Sequence, residues 1–230
     1  MRIAMWSGPR NLSTAMMYSF GARADFNVMD EPFYAAYLHA TGADHPMADE
    51  IKQAHETDPN MVDLACRASG NPHLYMKHMP HHMVDGFPMG WAADCVHIHL
   101  IRHPARVIAS YAAKREAPTL DDIGFVQQAE LFDRIGGTVI DSTDIRADPK
   151  GMLRKLCDAI GLPFDPAMLS WRAGPRAEDG VWAKHWYNAV HRSTAFAGAE
   201  GEMPRLEPDM QAVMEQALPY YQRMAVHRLE

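Results

Sequence analysis

Cysteine is scarce. The 230 residues hold three, Cys66, Cys95 and Cys157, and their odd number and wide separation exclude a disulfide framework or a zinc knuckle and make them reduced core residues. Long apolar runs are missing too, so no membrane span is expected. The start Met1-Arg2-Ile3 lacks the basic stretch and extended apolar segment of a secretory leader, which points to a cytoplasmic location. There is no basic surplus: 22 Lys and Arg against 29 Asp and Glu leave a formal charge of −7. That excludes a broadly basic face for nucleic acid, so any anion has to be held by a local pocket, and a small ligand is expected. Internal repeats, low-complexity tracts and the pattern Gly-x4-Gly-Lys-Ser/Thr are all absent. What is there is 47% hydrophobic residues, enough for one full core, and a single domain over 1–230 follows.

Strand-like runs occur near 1–6, 26–29, 73–77, 95–101 and 137–141. Helical periodicity fills 12–23, 50–69, 104–115 and 121–135, and a further helix through 150–160 stops at Gly161. Such alternation predicts an α/β fold in three layers, a mainly parallel sheet with helices on both faces. Ligands then bind where strand carboxyl ends meet helix starts. Residues 171–208 are turn-rich, with Gly174, Pro175, Gly180, Gly198, Gly201, Pro204 and Pro208, and read as a lid or a surface loop around a packed Trp; 208–227 reads as a closing amphipathic helix.

Two such junctions carry anion chemistry. In Trp6-Ser7-Gly8-Pro9-Arg10-Asn11-Leu12-Ser13-Thr14, a strand breaks into a Gly-Pro turn and enters a helix. The free amides of Asn11, Leu12, Ser13 and Thr14 can hold an anion there while Arg10 adds a full charge. An ordinary buried strand followed by an N-capped helix is the other reading of this segment. In the second junction, a β-rich run ends at Arg102, Pro104 opens a helix, and Ser110 falls eight positions after Arg102.

The segment Pro9 to Thr14 is similar to the motif Pro-(Lys/Arg)-Ser-Gly-Thr-Thr of sulfotransferases, and Arg102 with Ser110 resembles their second motif. Asp144-Ile145-Arg146-Ala147-Asp148-Pro149-Lys150 through Gly161 also looks like a later stretch of that family. The resemblance implies a nucleotide-kinase-like P-loop fold and 3′-phosphoadenosine 5′-phosphosulfate (PAPS) as co-substrate, with no metal. It implies that Arg10, Asn11, Leu12, Ser13 and Thr14 grip the 5′ side and Arg102 and Ser110 the 3′-phosphate. The chain departs from the family where Leu12 stands for Gly. Gly180-Val181-Trp182-Ala183-Lys184 loosely resembles a Gly-x-Trp-Lys loop over the nucleotide, making Lys184 a further candidate. Asp141-Ser142-Thr143-Asp144 lacks the Tyr that many relatives place against adenine.

An acceptor hydroxyl or amine needs a base. Glu31, 21 residues after Arg10, matches the position of a catalytic Glu in several sulfotransferase branches; a cap for the following helix is its structural alternative. The rival is His78 in Lys77-His78-Met79-Pro80, similar to Lys-x-His-Leu-Pro but with the Lys adjacent. We read Glu31 as base and Lys77 and His78 as neighbours that bind substrate or steady transferred charge. His78, His81 and His82 do not read as a metal site, because Pro80 interrupts their spacing and no partner set accompanies them. The resulting expectation is sulfuryl transfer to a small-molecule, glycolipid or peptide acceptor. The alternatives are a non-catalytic adenosine 3′,5′-bisphosphate-binding protein and a kinase-like phosphotransferase.

Overall fold

The computed structural model describes residues 1–68, 72–113 and 118–230. The elements run β1 (Arg2–Trp6), α1 (Ser13–Gly21), β2 (Phe26–Asp30), α2 (Tyr34–Thr41), α3 (Ala48–Ala54), α4 (Pro59–Cys66), β3 (His73–His78), β4 (Val96–Ile101) and α5 (Pro104–Ala112). They continue with α6 (Leu120–Ile123), α7 (Phe125–Ile135), β5 (Thr138–Asp141), α8 (Ser142–Ala147), α9 (Pro149–Ala159), α10 (Ala183–Trp186), α11 (Asn188–His191) and α12 (Pro208–Ala225). The five strands form one parallel sheet in the order β2-β3-β1-β4-β5, with helices around it. Parallel strands covered on both faces have to be apolar throughout, and Ile3, Ala4, Met5 and Trp6 of β1 are all fully buried. The β2–β3 register sets Asp30 opposite Lys77, and the β4–β5 register sets Ile101 opposite Asp141.

The chain divides into two compact units, each assembled from three stretches. The first comprises Met1–Met5, Thr14–Val96 and Asp165–Phe196. Its interior is aromatic: Phe20 stacks on Tyr75 with centroids 4.5 Å apart, and Tyr18 meets Trp171 edge-on at 6.2 Å. Burial pushes the Cys66 thiol up to about 12, as suits an inert core residue. The second comprises Trp6–Ser13, His97–Phe164 and Ala197–Glu230. Here α12 lays Ala217 against Val107, Ile108, Ile123 and Phe125, and Met224 and Ala225 against Ile101, Ala129 and Val139. Gln128, buried in α7, donates to the Trp6 and Leu100 carbonyls at 3.1 and 3.0 Å and accepts from the Gly8 amide at 3.2 Å, fixing where β1 and β4 end.

The five expected strands are present, and the structure refines the helices. The run 50–69 is two helices, because Glu56 accepts from the Thr57 and Asp58 amides and Asp58 then caps α4 with Pro59 at its first turn. Residue 69 of that run, and 114–115 of the run 104–115, lie outside the described residues. The run 121–135 is broken at Gly124, whose φ of +66° ends α6 before α7 begins. Gly161 does stop the helix before it, at φ +68°. Among the described residues, no helix is long and apolar enough to cross a membrane.

Candidate functional site

The second unit holds the candidate anion loop. Leaving β1, the chain must pass Gly8 close to α6: a Cβ there would lie 2.5 Å from the Ile123 carbonyl oxygen, so only glycine fits. Arg10 and Leu12 then both take left-handed backbone, φ +62° and +76°, and α1 opens at Ser13. Left-handed residues in close succession turn neighbouring amides to the same side, forming a concave nest for an anion at a helix start. Leu12 keeps this conformation although it carries a side chain. Holding it there costs on the order of 1–2 kcal/mol, which the surrounding structure must supply. Asn11 supplies part of it, being buried with its side-chain amide donating to the Leu100 carbonyl at 3.3 Å.

The structure brings Arg10, Arg102 and Ser110 together. The Arg10 guanidinium donates from Nε to Ser110 Oγ at 3.0 Å, and Arg102 donates from Nη1 to the Arg10 carbonyl at 2.8 Å. Pro104 begins α5 and His103 caps it, accepting from the Ala105 amide at 3.2 Å, so Ser110 sits two turns along on the same helix. Burial first, and then the neighbouring Arg102, lower Arg10 below the usual guanidinium range.

One residue at this site carried no signal in the sequence. The Glu200 side chain is 1% exposed and receives Arg102 Nε at 2.9 Å, Arg106 Nε at 2.8 Å, Arg146 at 2.9 Å and the Thr143 hydroxyl at 3.1 Å. Burial alone would raise its carboxyl; Arg102 first, with Thr143 and Arg106, outweighs that and holds it below the usual range. A glutamate in a turn-rich segment announces none of this, because its partners come from α5, α8 and the end of β4.

The first unit builds a second ionic group at the ends of β2 and β3. Glu31 follows β2 in left-handed backbone at φ +43°, its amide donating to the Lys77 carbonyl at 2.9 Å. Lys77 is fully buried and spends its three ammonium protons on Asp30 at 2.9 Å, on Glu31, and on the Tyr187 hydroxyl at 2.6 Å. Tyr187 lies 2.8 Å from both Asp30 oxygens and accepts from the Trp182 indole at 3.1 Å, and the Gly180 amide donates to Asp30 at 3.2 Å. Burial raises the Glu31 carboxyl, with Lys77 offsetting part of the rise; burial would lower Lys77, but Asp30 and Glu31 overcome it and raise the ammonium.

The structure places each residue that the sequence singled out. Glu31 does not cap the next helix, whose N-cap is Phe33 without any side-chain bond. Lys77, expected to bind substrate or steady transferred charge, hydrogen-bonds two carboxylates and a tyrosine. His78 is buried and stacked on Trp91, centroids 4.5 Å apart, while His82 lies between Tyr34 and Tyr37 with Nδ1 3.9 Å from Glu31. Trp182 is buried and Lys184 is exposed on α10. Ser13 and Thr14 open α1, with Ser13 buried. Among the described residues, no group of three or more His, Cys, Asp or Glu could hold a metal.

Comparison with known proteins places this geometry. Two curated Arabidopsis thaliana proteins, branched-chain-amino-acid aminotransferase-like proteins 1 and 2, are 37% and 36% identical over 98% of the chain. The chain spans 42% and 41% of their lengths. The sulfotransferase domain of the curacin biosynthetic pathway superposes with a TM-score of 0.58 at 16% identity, covering 93% of this chain and 96% of that one. The sulfotransferase domain of the Synechococcus PCC 7002 olefin synthase gives 0.52 at 17% identity, covering 94% of each chain. A sulfotransferase from Alicyclobacillus acidocaldarius gives 0.55 at 11% identity, covering 100% of this chain and 98% of that one. These structures share the fold. The profile of the sulfotransferase domain matches residues 1–228, and the chain belongs to that family.

Proposed function

We propose that this chain is a cytoplasmic sulfotransferase that takes a sulfuryl group from PAPS and transfers it to a hydroxyl or amine of a small-molecule, glycolipid or peptide acceptor. The observation that carries the reading is the left-handed loop at Arg10 and Leu12 running into α1, with Arg10, Ser110 and Arg102 linked in one hydrogen-bonded group. A nest, a helix start and two forked cations fit a doubly phosphorylated adenosine, and would suit a carboxylate ligand of single charge less well. The donor supplies an activated sulfuryl group; the chain supplies position and charge. The amides of residues 11–14 and the Ser13 and Thr14 hydroxyls hold the 5′ side. Arg10 stabilises charge on the departing phosphate oxygen, and Arg102 and Ser110 hold the 3′-phosphate.

Glu31 takes the acceptor's proton. A carboxylate raised by burial accepts a proton more readily than an exposed one, and Lys77, Tyr187 and Asp30 fix its orientation. Lys77 is therefore a positioning residue. The test is transfer of labelled sulfate from PAPS to a panel of phenol, sugar and amine acceptors by the wild type, Glu31→Gln and His78→Ala. Turnover should survive in His78→Ala and vanish in Glu31→Gln; the reverse pattern makes His78 the base. Thermal shifts with adenosine 3′,5′-bisphosphate, 5′-AMP, and ATP with Mg²⁺ should show the largest stabilisation from the bisphosphate. A preference for ATP would overturn the donor assignment.

A further inference from the structure

The group around Glu200 is an anion site already filled from within. Three guanidinium groups, those of Arg102, Arg106 and Arg146, converge on one carboxylate, which among the described residues leaves this group with two positive charges in excess. A phosphate monoester carries close to two negative charges and three acceptor oxygens, so it matches this set better than Glu200 does.

How the glutamate is held matters as much as what it touches. Residues 197–199 and 201–203 are exposed and belong to no helix or strand, yet the Glu200 side chain between them is 1% exposed. A Cβ added at Gly198 or Gly201 would meet nothing within 4 Å, so the strap is open on that side of each glycine. The arginines themselves supply the moorings: Arg146 donates to the Gly198 carbonyl at 2.9 Å, and Arg106 to the Gly201 carbonyl at 2.6 Å. Whatever takes these guanidinium groups away from Glu200 also loosens the strap that carries it.

We propose that Glu200 is an internal competitor for the 3′-phosphate of the nucleotide: a carboxylate on the strap 197–203 that closes the Arg102–Arg106–Arg146 site and is expelled when the phosphate enters. The inference rests on the nucleotide reading above and adds to it a closed resting state and two further phosphate ligands, Arg106 and Arg146. A protein that must first release Glu200 binds its ligand more weakly by the fraction of molecules in which the site is open. The rival role for Glu200 is permanent: a carboxylate that orients the arginines for the nucleotide and stays in place.

Calorimetric titration separates the two roles. Adenosine 3′,5′-bisphosphate and 5′-AMP are titrated into the wild type, Glu200→Ala and Glu200→Gln, the last preserving shape and the Thr143 hydrogen bond should the alanine variant fail to fold. Both variants should bind the bisphosphate about ten-fold more tightly, the gain expected when an open fraction near one tenth becomes nearly complete, with 5′-AMP unchanged. In the wild type, the bisphosphate should speed trypsin cleavage after Arg205, which is exposed at the end of the strap. Bisphosphate affinity that is unchanged or weaker in the variants, or protection of the Arg205 bond, overturns the competitor role and leaves the nucleotide reading standing. Binding in the variants with none in the wild type supports it in its strongest form. No bisphosphate binding by any of the three folded proteins removes the nucleotide reading and the competitor with it.

Discussion

The two buried ionic groups of this chain are built from similar parts with opposite balance. Around Glu200, three arginines face one carboxylate; around Lys77, two carboxylates face one ammonium. The first group is short of negative charge and draws its carboxylate from an exposed strap, whereas the second is short of positive charge and draws all its members from strand ends and a buried tyrosine. A deficit of negative charge held by side chains suits an incoming anion. A deficit of positive charge, sealed by burial, suits a carboxylate that must accept a proton. The difference also predicts mechanical behaviour, since a group fixed by strands can be emptied only by damaging the fold, and a group closed by a strap can be emptied by a ligand.

The largest effect should follow from breaking the sealed group. Lys77→Met leaves Asp30 and Glu31 buried without their cation, and a loss of about 3–5 kcal/mol in urea unfolding is expected. A variant of wild-type stability would show that the carboxylates are not both charged. Next comes Arg102→Ala, which should weaken adenosine 3′,5′-bisphosphate by about 2–5 kcal/mol in calorimetry while the fold holds; undiminished affinity would remove Arg102 from the site. Tyr187→Phe deletes the hydroxyl shared by Lys77, Asp30 and Trp182, and about 1–3 kcal/mol of stability should go with it.

The two glutamates should also titrate on opposite sides of their ordinary value of 4.5. Glu200, held low, contributes stability that is in place above pH 4.5 and is lost as the pH falls through its folded value. Glu31, held high, binds its proton more tightly in the folded chain, so stability declines as the pH rises from 4.5 through its folded value. Carboxyl carbon NMR across that range, with Glu31→Gln and Glu200→Gln to assign the signals, checks the order; Glu200 protonating before Glu31 would contradict it. The smallest effect belongs to Leu12→Gly. Relief of left-handed backbone should raise stability by about 1 kcal/mol, and a loss in its place would show that the leucine side chain does more than tolerate the turn.

Much of this was legible before any coordinates. The five strands stand out as short β-rich runs between helical stretches; β1 reads as an apolar run because a covered parallel strand has no room for alternation, whereas β4 alternates Val96, Ile98 and Leu100 with His97 and His99. The loop at Gly8 to Thr14 and the Arg102–Ser110 pair are legible because each depends on chain-local spacing at one strand end. Glu31 could be located by its offset from Arg10 but not distinguished from a helix cap. That distinction needed the cap of α2 and the partners of Lys77. Lys77 itself shows the limit: adjacent to His78, it reads as a neighbour that binds substrate or steadies transferred charge, and its pairing with Asp30 emerges only from the β2–β3 register.

The order of apolar and turn residues by itself determined the alternating strands and helical stretches and two strand-to-helix junctions with residue types suited to an anion, because hydrophobic burial, caps and left-handed turns act over a few residues. Tertiary structure alone decided which charges meet. Glu200 lies 98 residues from Arg102, and Tyr187 lies 110 from Lys77. Such pairings exist only once the chain has brought distant segments together, where burial removes water as the alternative partner and leaves each charge to the side chains that the fold has set beside it.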